Sequence, residues 1–468
     1  MKSPLTALLL LLPLALLIGY ISTQFTSSIL LWSFIAVAIF IAAFVNVDFG
    51  LYILIFSMLL SPEIIAGDTE GASLRRGVTL RFEDFLLVVI GVSWFARNAV
   101  LKELGLFRKT PLNRAILYYM IACILSTGFG IIAGNVPAKT GFFFVLKYVE
   151  YFIVFFMLVN HLETEQQVRR LVFFLFLTCF ITTIIGIAQI PAGGRVSAPF
   201  EGEVGEPNTF GGYLVFIGAI AGGLILKEKW SKKKQALILL VIFILPPLLF
   251  TQSRTSYLAA IPAIFTLAMF SNKRFIAISL VIFSIILSPF LLPTAAKERV
   301  AFTFKQTKEA GQIELGDIRL DTSTSARLIS WKEAFEDWVK KPIFGYGITG
   351  RGFIDAQLPR VLAETGIVGL CTFVYLLFSI GIVAFDSLRQ VQSRYFQGLT
   401  IGFIAGFVGL LFHSIGANTF IIVRIMEPFW FFAGIITVLP TIELSPTPER
   451  QEVSAANSID PPTILPRR

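Results

Sequence analysis

Apolar residues follow one another along most of this chain in runs that are long enough, or nearly so, to cross a lipid bilayer as helices. Polar residues are confined to short connections, to one long segment at about residues 293–359 and to the C-terminal tail. The apolar runs are residues 5–21, 28–45, 47–61, 84–97, 113–133, 141–160, 170–190, 209–226, 235–251, 255–270, 274–292, 360–385, 396–413 and 422–440. This pattern predicts an all-α polytopic membrane protein with about 12–14 transmembrane helices. Residues 5–21 precede no small-residue cleavage site, so we interpret them as a first span rather than a signal peptide.

The long polar segment contains an amphipathic helix. Between Ala326 and Lys341, the apolar residues recur at helical spacing and form one stripe; they are Leu328, Trp331, Phe335 and Trp338. The hydroxyl residues at 323–325 are candidate N-caps, and Pro342 ends the helix. Glycines at 345–352 predict a flexible turn, after which a second helix carries Asp355, Arg360 and Glu364 into an apolar run.

Composition agrees with a membrane protein. Of the 468 residues, 55% are hydrophobic and 15% are charged, and mean hydropathy is +0.78, whereas soluble domains carry about 25% charged residues. The net charge of +9 is explained by basic loops that bind anionic lipid, so it does not indicate nucleic acid.

The distribution of Lys and Arg predicts the orientation. If the N-terminus is cytoplasmic, the short cytoplasmic segments hold most of the basic residues, for example at 227–234 and 273–274, and the opposite segments hold few. The segment 293–359 is then external, and both termini are cytoplasmic. The tail from 441 is rich in Pro, Ser and Glu and is expected to be disordered.

Several polar residues within or beside the spans admit two interpretations. Lys147 and Glu150 are spaced to form an ion pair within the sixth span, or to contact a substrate. His413 lies at a span end and has either a structural or a proton-transfer role. The cysteines, Cys123, Cys179 and Cys371, are interpreted as core thiols without a metal spacing.

Two connections carry candidate binding residues. The loop before the eighth span holds Glu201, Glu203 and Glu206 beside Arg195, and Asn208 then serves either as an N-cap or as a substrate ligand. The tight turn at 251–256 fixes Arg254 between hydroxyl residues. That arginine either grips an anion such as phosphate or reaches the lipid headgroups.

Three motifs occur in a fixed order: P-N-T-F-G-G-Y-L at 207–214, T-Q-S-R-T-S at 251–256, and the polar segment with R-L-x-x-W-x-x-A-F at 327–335, P-x-F-G-Y-G at 342–347 and L-A-E-T-G-I-V-G-L at 362–370. Together they resemble the O-antigen ligase and O-antigen polymerase superfamily of bacterial envelope enzymes, over roughly residues 195–375. No P-loop, dinucleotide fingerprint or D-x-D motif is present.

The resemblance implies a GT-C-like membrane glycosyltransferase in the bacterial inner membrane. Such enzymes take a glycan from an undecaprenyl diphosphate carrier on the outer face and pass it to a sugar hydroxyl, without a metal or other cofactor. The implied partners are the carrier-linked glycan, the glycan acceptor and the bilayer. Whether a flippase and a chain-length regulator assist is left open.

The resemblance also implies functional roles for individual residues. Arg254 and Arg327 match the family arginines and are expected to bind the diphosphate, while Glu364 matches the acidic residue of the A-E-T-G motif and is expected to be catalytic. Ligase-like members often carry a His-Asn pair where this chain has Asp355 and Ala356. Asp355 is therefore the candidate base or acceptor-positioning residue. The expected substrate-binding residues are Arg195, Glu206, Asn208 and Trp331.

The sequence is compatible with three candidate functions. The missing His-Asn pair favours an O-antigen or exopolysaccharide polymerase over a ligase to lipid A core. A flippase for lipid-linked oligosaccharide is the alternative of another class, and a catalytically silent scaffold is a third. The predicted regions are an N-terminal bundle at 1–194, the ligase-like region at 195–375 with its external loop 293–359, C-terminal spans at 376–440 and the tail at 441–468.

Overall fold

The protein is an all-α polytopic membrane protein. The computed structural model describes residues 27–65, 79–101, 108–201, 205–291, 293–307, 312–315, 318–352 and 354–444. The predicted first span, most of the tail and Glu203 lie outside these residues. Eight described helices are long and apolar enough to cross a membrane, and three shorter apolar helices accompany them at Trp32–Val45, Val47–Leu60 and Arg274–Leu287.

The helices follow the predicted apolar runs closely. They are α1 (Ser27–Val45), α2 (Val47–Leu60), α3 (Phe82–Leu101), α4 (Leu112–Ile132), α5 (Ala138–His161), α6 (Glu165–Gln189), α7 (Pro207–Lys227), α8 (Lys232–Phe250), α9 (Arg254–Met269), α10 (Arg274–Leu291), α11 (Thr294–Lys305), α12 (Thr322–Lys340), α13 (Gln357–Gln390), α14 (Arg394–His413) and α15 (Val423–Leu444). A 3₁₀ helix at Ile190–Ala192 extends α6. Two short antiparallel hairpins pair β1 (Glu63–Ile65) with β2 (Thr79–Arg81) and β3 (Glu314–Leu315) with β4 (Ile318–Arg319).

The chain forms two compact units. The first comprises Met1–Leu54 and Glu83–Leu106. Within it the Ser93 hydroxyl donates to the Phe40 carbonyl at 2.8 Å, and Arg97 donates to the Phe44 carbonyl at 2.8 Å. These bonds join α1 to α3. The second unit comprises Ile55–Phe82 and Phe107–Arg468 and contains every candidate site residue.

Close helix contacts build the core of the second unit. Gly223 of α7 faces Gly402 of α14 so tightly that a Cβ on Gly223 would lie 2.3 Å from the Gly402 nitrogen. Small residues at such a crossing let two backbones approach in a bilayer, where dispersion contacts drive helix association. Aromatic rings fill the adjoining space; Phe216, Phe403 and Phe429 pack with centroids 5.3–6.2 Å apart. Most residues in the apolar parts of α7, α14 and α15 are consequently buried, whereas only a minority are buried in those of α8 and α13.

The glycine-rich turn after α12 is fixed against α13 rather than flexible. Gly366 of α13 has φ 64°, which interrupts the helix, and a Cβ there would lie 2.2 Å from the Ile343 carbonyl oxygen. At this break, Ile367 and Val368 donate backbone bonds to the carbonyls of Pro342 and Ile343. Tyr346 donates in return to the Ala363 carbonyl at 3.1 Å.

Two cap predictions are wrong. Helix α12 begins at Thr322, and its N-cap is Asp321, whose carboxylate accepts from the Thr324 amide at 3.3 Å. Asp caps a helix about as well as Ser, and its negative charge is also favourable at the positive helix end, which is consistent with a start before 323–325. Helix α7 is capped at Glu206, and Asn208 is already inside its first turn. The predicted pair of Lys147 and Glu150 is present at 3.5 Å.

The apolar stripe of α12 faces outward. Leu328, Trp331 and Phe335 are exposed, and the buried residues of this helix are Ser325, Ala334 and Asp337. Asp337 is held by Arg351 from the following turn and by Lys340. A helix with an unburied apolar stripe and a charged opposite face has the character of an interfacial membrane helix.

Candidate functional site: an arginine cluster at one end of the helix bundle

One end of the second unit gathers helix termini from distant parts of the sequence. The Arg195 side chain reaches the Thr251 carbonyl between α8 and α9 at 2.9 Å. The Ser256 hydroxyl of α9 lies 3.3 Å from Nε2 of His413 at the end of α14. The Gln357 amide at the start of α13 donates to the Ser414 carbonyl at 3.1 Å. The two candidate connections from the sequence and the polar segment therefore meet at the same end.

Arg195 joins the segment before α7 to the turn between α8 and α9. Besides the Thr251 carbonyl, it approaches the Asn208 side-chain oxygen at 3.4 Å and the Gln252 carbonyl at 3.5 Å. Burial lowers the pKa of Arg195 to about 10, and the positive charges of Arg299, Arg254 and Arg327 act in the same direction. Arg195 and Asn208, both predicted as substrate-binding residues, thus contact each other at this end of the unit.

Arg254 lies at the first position of α9 and binds the cap of α12. Its Nη2 donates to Oδ2 of Asp321 at 2.8 Å, and the Asp321 carboxylate is fully buried. Burial alone would raise the pKa of Asp321, but hydrogen bonds from Arg254 and Thr324 outweigh burial and lower the pKa below its usual value. Arg254 is therefore fixed to the polar segment through an ionised carboxylate.

Arg327, on the first turns of α12, binds Asp355. Its Nε and Nη2 donate to the same oxygen, Oδ2, at 3.1 and 3.0 Å. Among the described residues, Oδ1 of Asp355 receives no hydrogen bond, and the side chain is about one-third exposed at 32%. The carboxylate is thus oriented by the arginine while one of its oxygens stays accessible.

Arg299 of α11 is a fourth guanidinium that sequence reasoning did not single out. Burial lowers its pKa, as do the charges of Arg254 and Arg327, whereas Asp321 raises it. Its Nε is buried and finds no acceptor in the parts of the chain that are described. Arg195, Arg254, Arg299 and Arg327 therefore form one arginine cluster, drawn from four separate segments and contacted by two carboxylates.

Glu206 supports the loop rather than the cluster. Its carboxylate accepts from the Thr209 hydroxyl at 2.8 Å, and its amide donates to Glu201 at 2.7 Å. Glu201 also accepts from the Ala198 amide and lies 3.4 Å from Arg424, whose side chain is fully buried. Burial raises the pKa of Glu201 to about 7 against the opposing charge of Arg424. This buried pair fixes the loop that leads from Arg195 to α7.

His413 connects three segments at the same end. Nδ1 lies 2.8 Å from the Thr419 hydroxyl, while Nε2 faces Ser256, and the ring is fully buried. A Cβ added to Gly212 of α7 would come 3.1 Å from the ring. His413 thus holds the beginning of α9, which carries Arg254, against α14. The sequence showed only a histidine at a span end, which carries no information on these contacts.

Glu364 lies away from the arginine cluster. Its Oε1 accepts from Arg360 at 3.0 Å and from the Thr349 amide at 3.0 Å, and the residue is buried. In the described part of the chain its carboxylate therefore fixes the glycine turn to α13. Trp331 is exposed on the stripe of α12, one helical turn beyond Arg327. In the described ranges, no group of three or more His, Cys, Asp or Glu side chains is placed to hold a metal ion.

The fold and this site define a polytopic membrane protein with a cationic centre at one end of its helices. Residues 236–385 match the family model described as O-antigen ligase, and the resemblance to the O-antigen ligase superfamily is confirmed over that stretch. The match contains Arg254, Arg299, Arg327, Asp355 and Glu364. Arg195 and His413 join the site from outside it. No curated protein shows significant similarity to the chain.

Proposed function

We propose that this protein is a membrane glycosyltransferase that moves a glycan from a polyprenyl diphosphate carrier to a sugar hydroxyl. The family match supports a membrane role of the O-antigen ligase or polymerase type. The observation that carries the proposal is the arginine cluster, in which four guanidinium groups are contacted by two carboxylates. Four guanidinium groups and two carboxylates leave a net charge of about +2, which balances the two negative charges of a diphosphate that is esterified at both ends.

Arginine suits this ligand because its planar fork donates two parallel hydrogen bonds to phosphate oxygens and stays ionised. The N-terminus of α9 adds its backbone N–H groups and the positive end of its dipole beside Arg254. Guanidinium groups can supply the charge that a metal ion supplies in other transferases, so we propose a metal-independent reaction.

Asp355 is the proposed acceptor-side group. Both guanidinium bonds from Arg327 go to Oδ2, so Oδ1 can accept the proton of a sugar hydroxyl or orient that hydroxyl. Glu364, buried on the glycine turn, supports the same segment from behind, and we assign it a positioning role in catalysis. We propose that Arg195, Asn208 and Trp331 contact the substrate. Glu206 is proposed to contribute to substrate binding by holding the loop that leads from Arg195 to Asn208.

The site is proposed to face the outside of the inner membrane. Helix ends that lie opposite the site carry the basic segments, including Lys232, Arg274 and Arg394 at the beginnings of α8, α10 and α14. Under the positive-inside bias, those ends are cytoplasmic and the arginine cluster is external. Cysteine labelling from outside intact spheroplasts at Gly352 and at Lys233 tests this orientation.

A polymerase is the first candidate, since Asp355 and Ala356 replace the His-Asn pair of ligase-like members. A ligase to lipid A core is the second, favoured by the description of the matched family. Reconstitution in vesicles with polyprenyl diphosphate-linked oligosaccharide distinguishes them. A polymerase releases polyprenyl diphosphate and yields a product ladder on the carrier, whereas a ligase adds glycan to supplied lipid A core. A flippase or a scaffold cleaves no glycosidic bond. If no polyprenyl diphosphate is released in this assay, the proposal is overturned.

A further inference from the structure

The four arginines of the cluster are not equivalent. Arg254 and Arg327 each bind a carboxylate, at 2.8 Å and 3.0 Å. Arg195 directs its N–H groups to the carbonyls of Thr251 and Gln252 and to the Asn208 amide oxygen. Arg299 differs from these three, because its buried Nε has no acceptor among the residues that the structure describes.

The surroundings of Arg299 are cationic rather than neutralising. The charges that act on it include those of Arg254 and Arg327, and the carboxylate of Asp321 that acts on it is already bound to Arg254. The ring centroid of Phe302 lies 5.6 Å from the guanidinium carbon, and Tyr257 also acts on Arg299; neither side chain is a carboxylate. A buried donor without an acceptor is costly, and a further cation in a cationic cluster adds repulsion. Both costs fall when an anion enters.

We propose that Arg299 is a catalytic residue that stabilises the charge developing on the leaving diphosphate. This inference rests on the proposed function. In the transfer, the oxygen of the acceptor hydroxyl bonds to the anomeric carbon, and the bond from that carbon to the diphosphate oxygen breaks. The hydroxyl proton passes to Asp355, and the electron pair of the broken bond stays on the terminal phosphate oxygen.

The leaving group therefore gains charge that the bound donor lacks. A terminal phosphate loses its second proton with a pKa of about 6, so the product carries more negative charge than the donor at neutral pH. A cation that has no carboxylate partner stabilises this added negative charge better than a cation that a carboxylate already neutralises. An interaction that strengthens in the transition state raises kcat, whereas uniform binding lowers KM alone.

The test compares Arg299→Gln and Arg299→Lys with a matched control, Glu298→Gln, on the neighbouring exposed position of α11. In vesicles with polyprenyl diphosphate-linked oligosaccharide, we expect Arg299→Gln to lower kcat about 100-fold, the usual effect of losing one charge-stabilising donor. The donor KM should change by less than about threefold. Arg299→Lys should recover part of kcat, and the control should behave as wild type.

Product inhibition gives a second readout. Polyprenyl diphosphate should inhibit the wild type more strongly than polyprenyl monophosphate, and Arg299→Gln should lose most of this difference. Thermal unfolding in detergent shows whether each variant is folded. Unchanged kcat in a folded Arg299→Gln variant, or a rise in KM alone, would overturn the role of Arg299. A wild type that releases no polyprenyl diphosphate would instead overturn the proposed function itself.

Discussion

Arg327 holds Asp355 through two N–H groups that converge on one carboxylate oxygen, at 3.1 and 3.0 Å. Helix α12 and the segment before α13 are thereby joined at the site. We expect Arg327→Lys to lower turnover about 100-fold, because a lysine cannot make both bonds and a displacement of about 1 Å is enough for such a loss. The measurement is release of polyprenyl diphosphate in vesicles. The exposed Lys332→Arg change on the same helix is the control, and full activity of Arg327→Lys would contradict a geometric role.

Asp355→Asn separates two roles for this residue. The amide can still bind Arg327 through its oxygen, but it cannot accept a proton from the acceptor. We expect a loss of about 100- to 10,000-fold in kcat, the range that general bases contribute. Single-turnover rates with saturating acceptor measure it. Turnover close to wild type would reduce Asp355 to a residue that orients the acceptor.

His413→Ala should affect both stability and activity. The buried ring faces Ser256 and Thr419, so its removal leaves two hydroxyls without this partner and opens a cavity beside Gly212. We expect a loss of about 1–3 kcal/mol in unfolding free energy, together with a higher donor KM because Arg254 loses its support. Thermal unfolding and donor titration measure the two effects. Thr419→Val, which removes one bond only, should give a smaller change in the same direction.

Glu201 predicts a pH dependence of stability. Burial raises its pKa from the ordinary 4.5 to about 7. Between these values the folded protein holds a proton that the unfolded chain has released, so this contribution is complete below pH 4.5 and is lost as pH rises through 7. We expect Glu201→Gln to flatten that part of the curve of unfolding temperature against pH. A mutant curve parallel to that of the wild type would show that Glu201 does not titrate there.

Gly366→Ala should destabilise the junction between the glycine turn and α13. Its φ of 64° is unfavourable for alanine, and the added Cβ would meet the Ile343 carbonyl oxygen at 2.2 Å. We expect a loss of at least about 1–3 kcal/mol. Gly352→Ala, in the glycine turn and with open space around its Cβ position, is the control. Equal unfolding temperatures for the two variants would contradict this account.

The order and bounds of the helices could be predicted from the sequence, because the length of an apolar run is nearly sufficient to place a membrane helix. The predicted run 113–133, for example, is helix Leu112–Ile132. The resemblance to the O-antigen ligase superfamily was also visible in the motifs and is confirmed at residues 236–385. The helix caps were harder to predict, since Asp321 is followed by four hydroxyl residues at the same helix start.

The contacts of the site could not be predicted, because they join residues that are far apart in sequence. Nothing in the pattern places Arg299 of α11 near Arg195, or His413 against Ser256. The carboxylate partners of Arg254 and Arg327 could likewise not be predicted from the sequence, although both arginines were predicted to bind the substrate. Their roles in substrate binding, and those of Asp355 and Glu364 in catalysis, stay predictions.

The outward stripe of α12 bears on how a lipid-linked substrate meets the enzyme. Amphipathic helices of this kind lie in the membrane interface, at the level of the lipid headgroups. Trp331 on that stripe lies one turn from Arg327. The phosphates of a polyprenyl carrier occupy the same thin layer. Under the proposed function, the donor phosphates and the Arg327 guanidinium lie in the same layer, so lateral diffusion in the membrane plane is sufficient to bring them together.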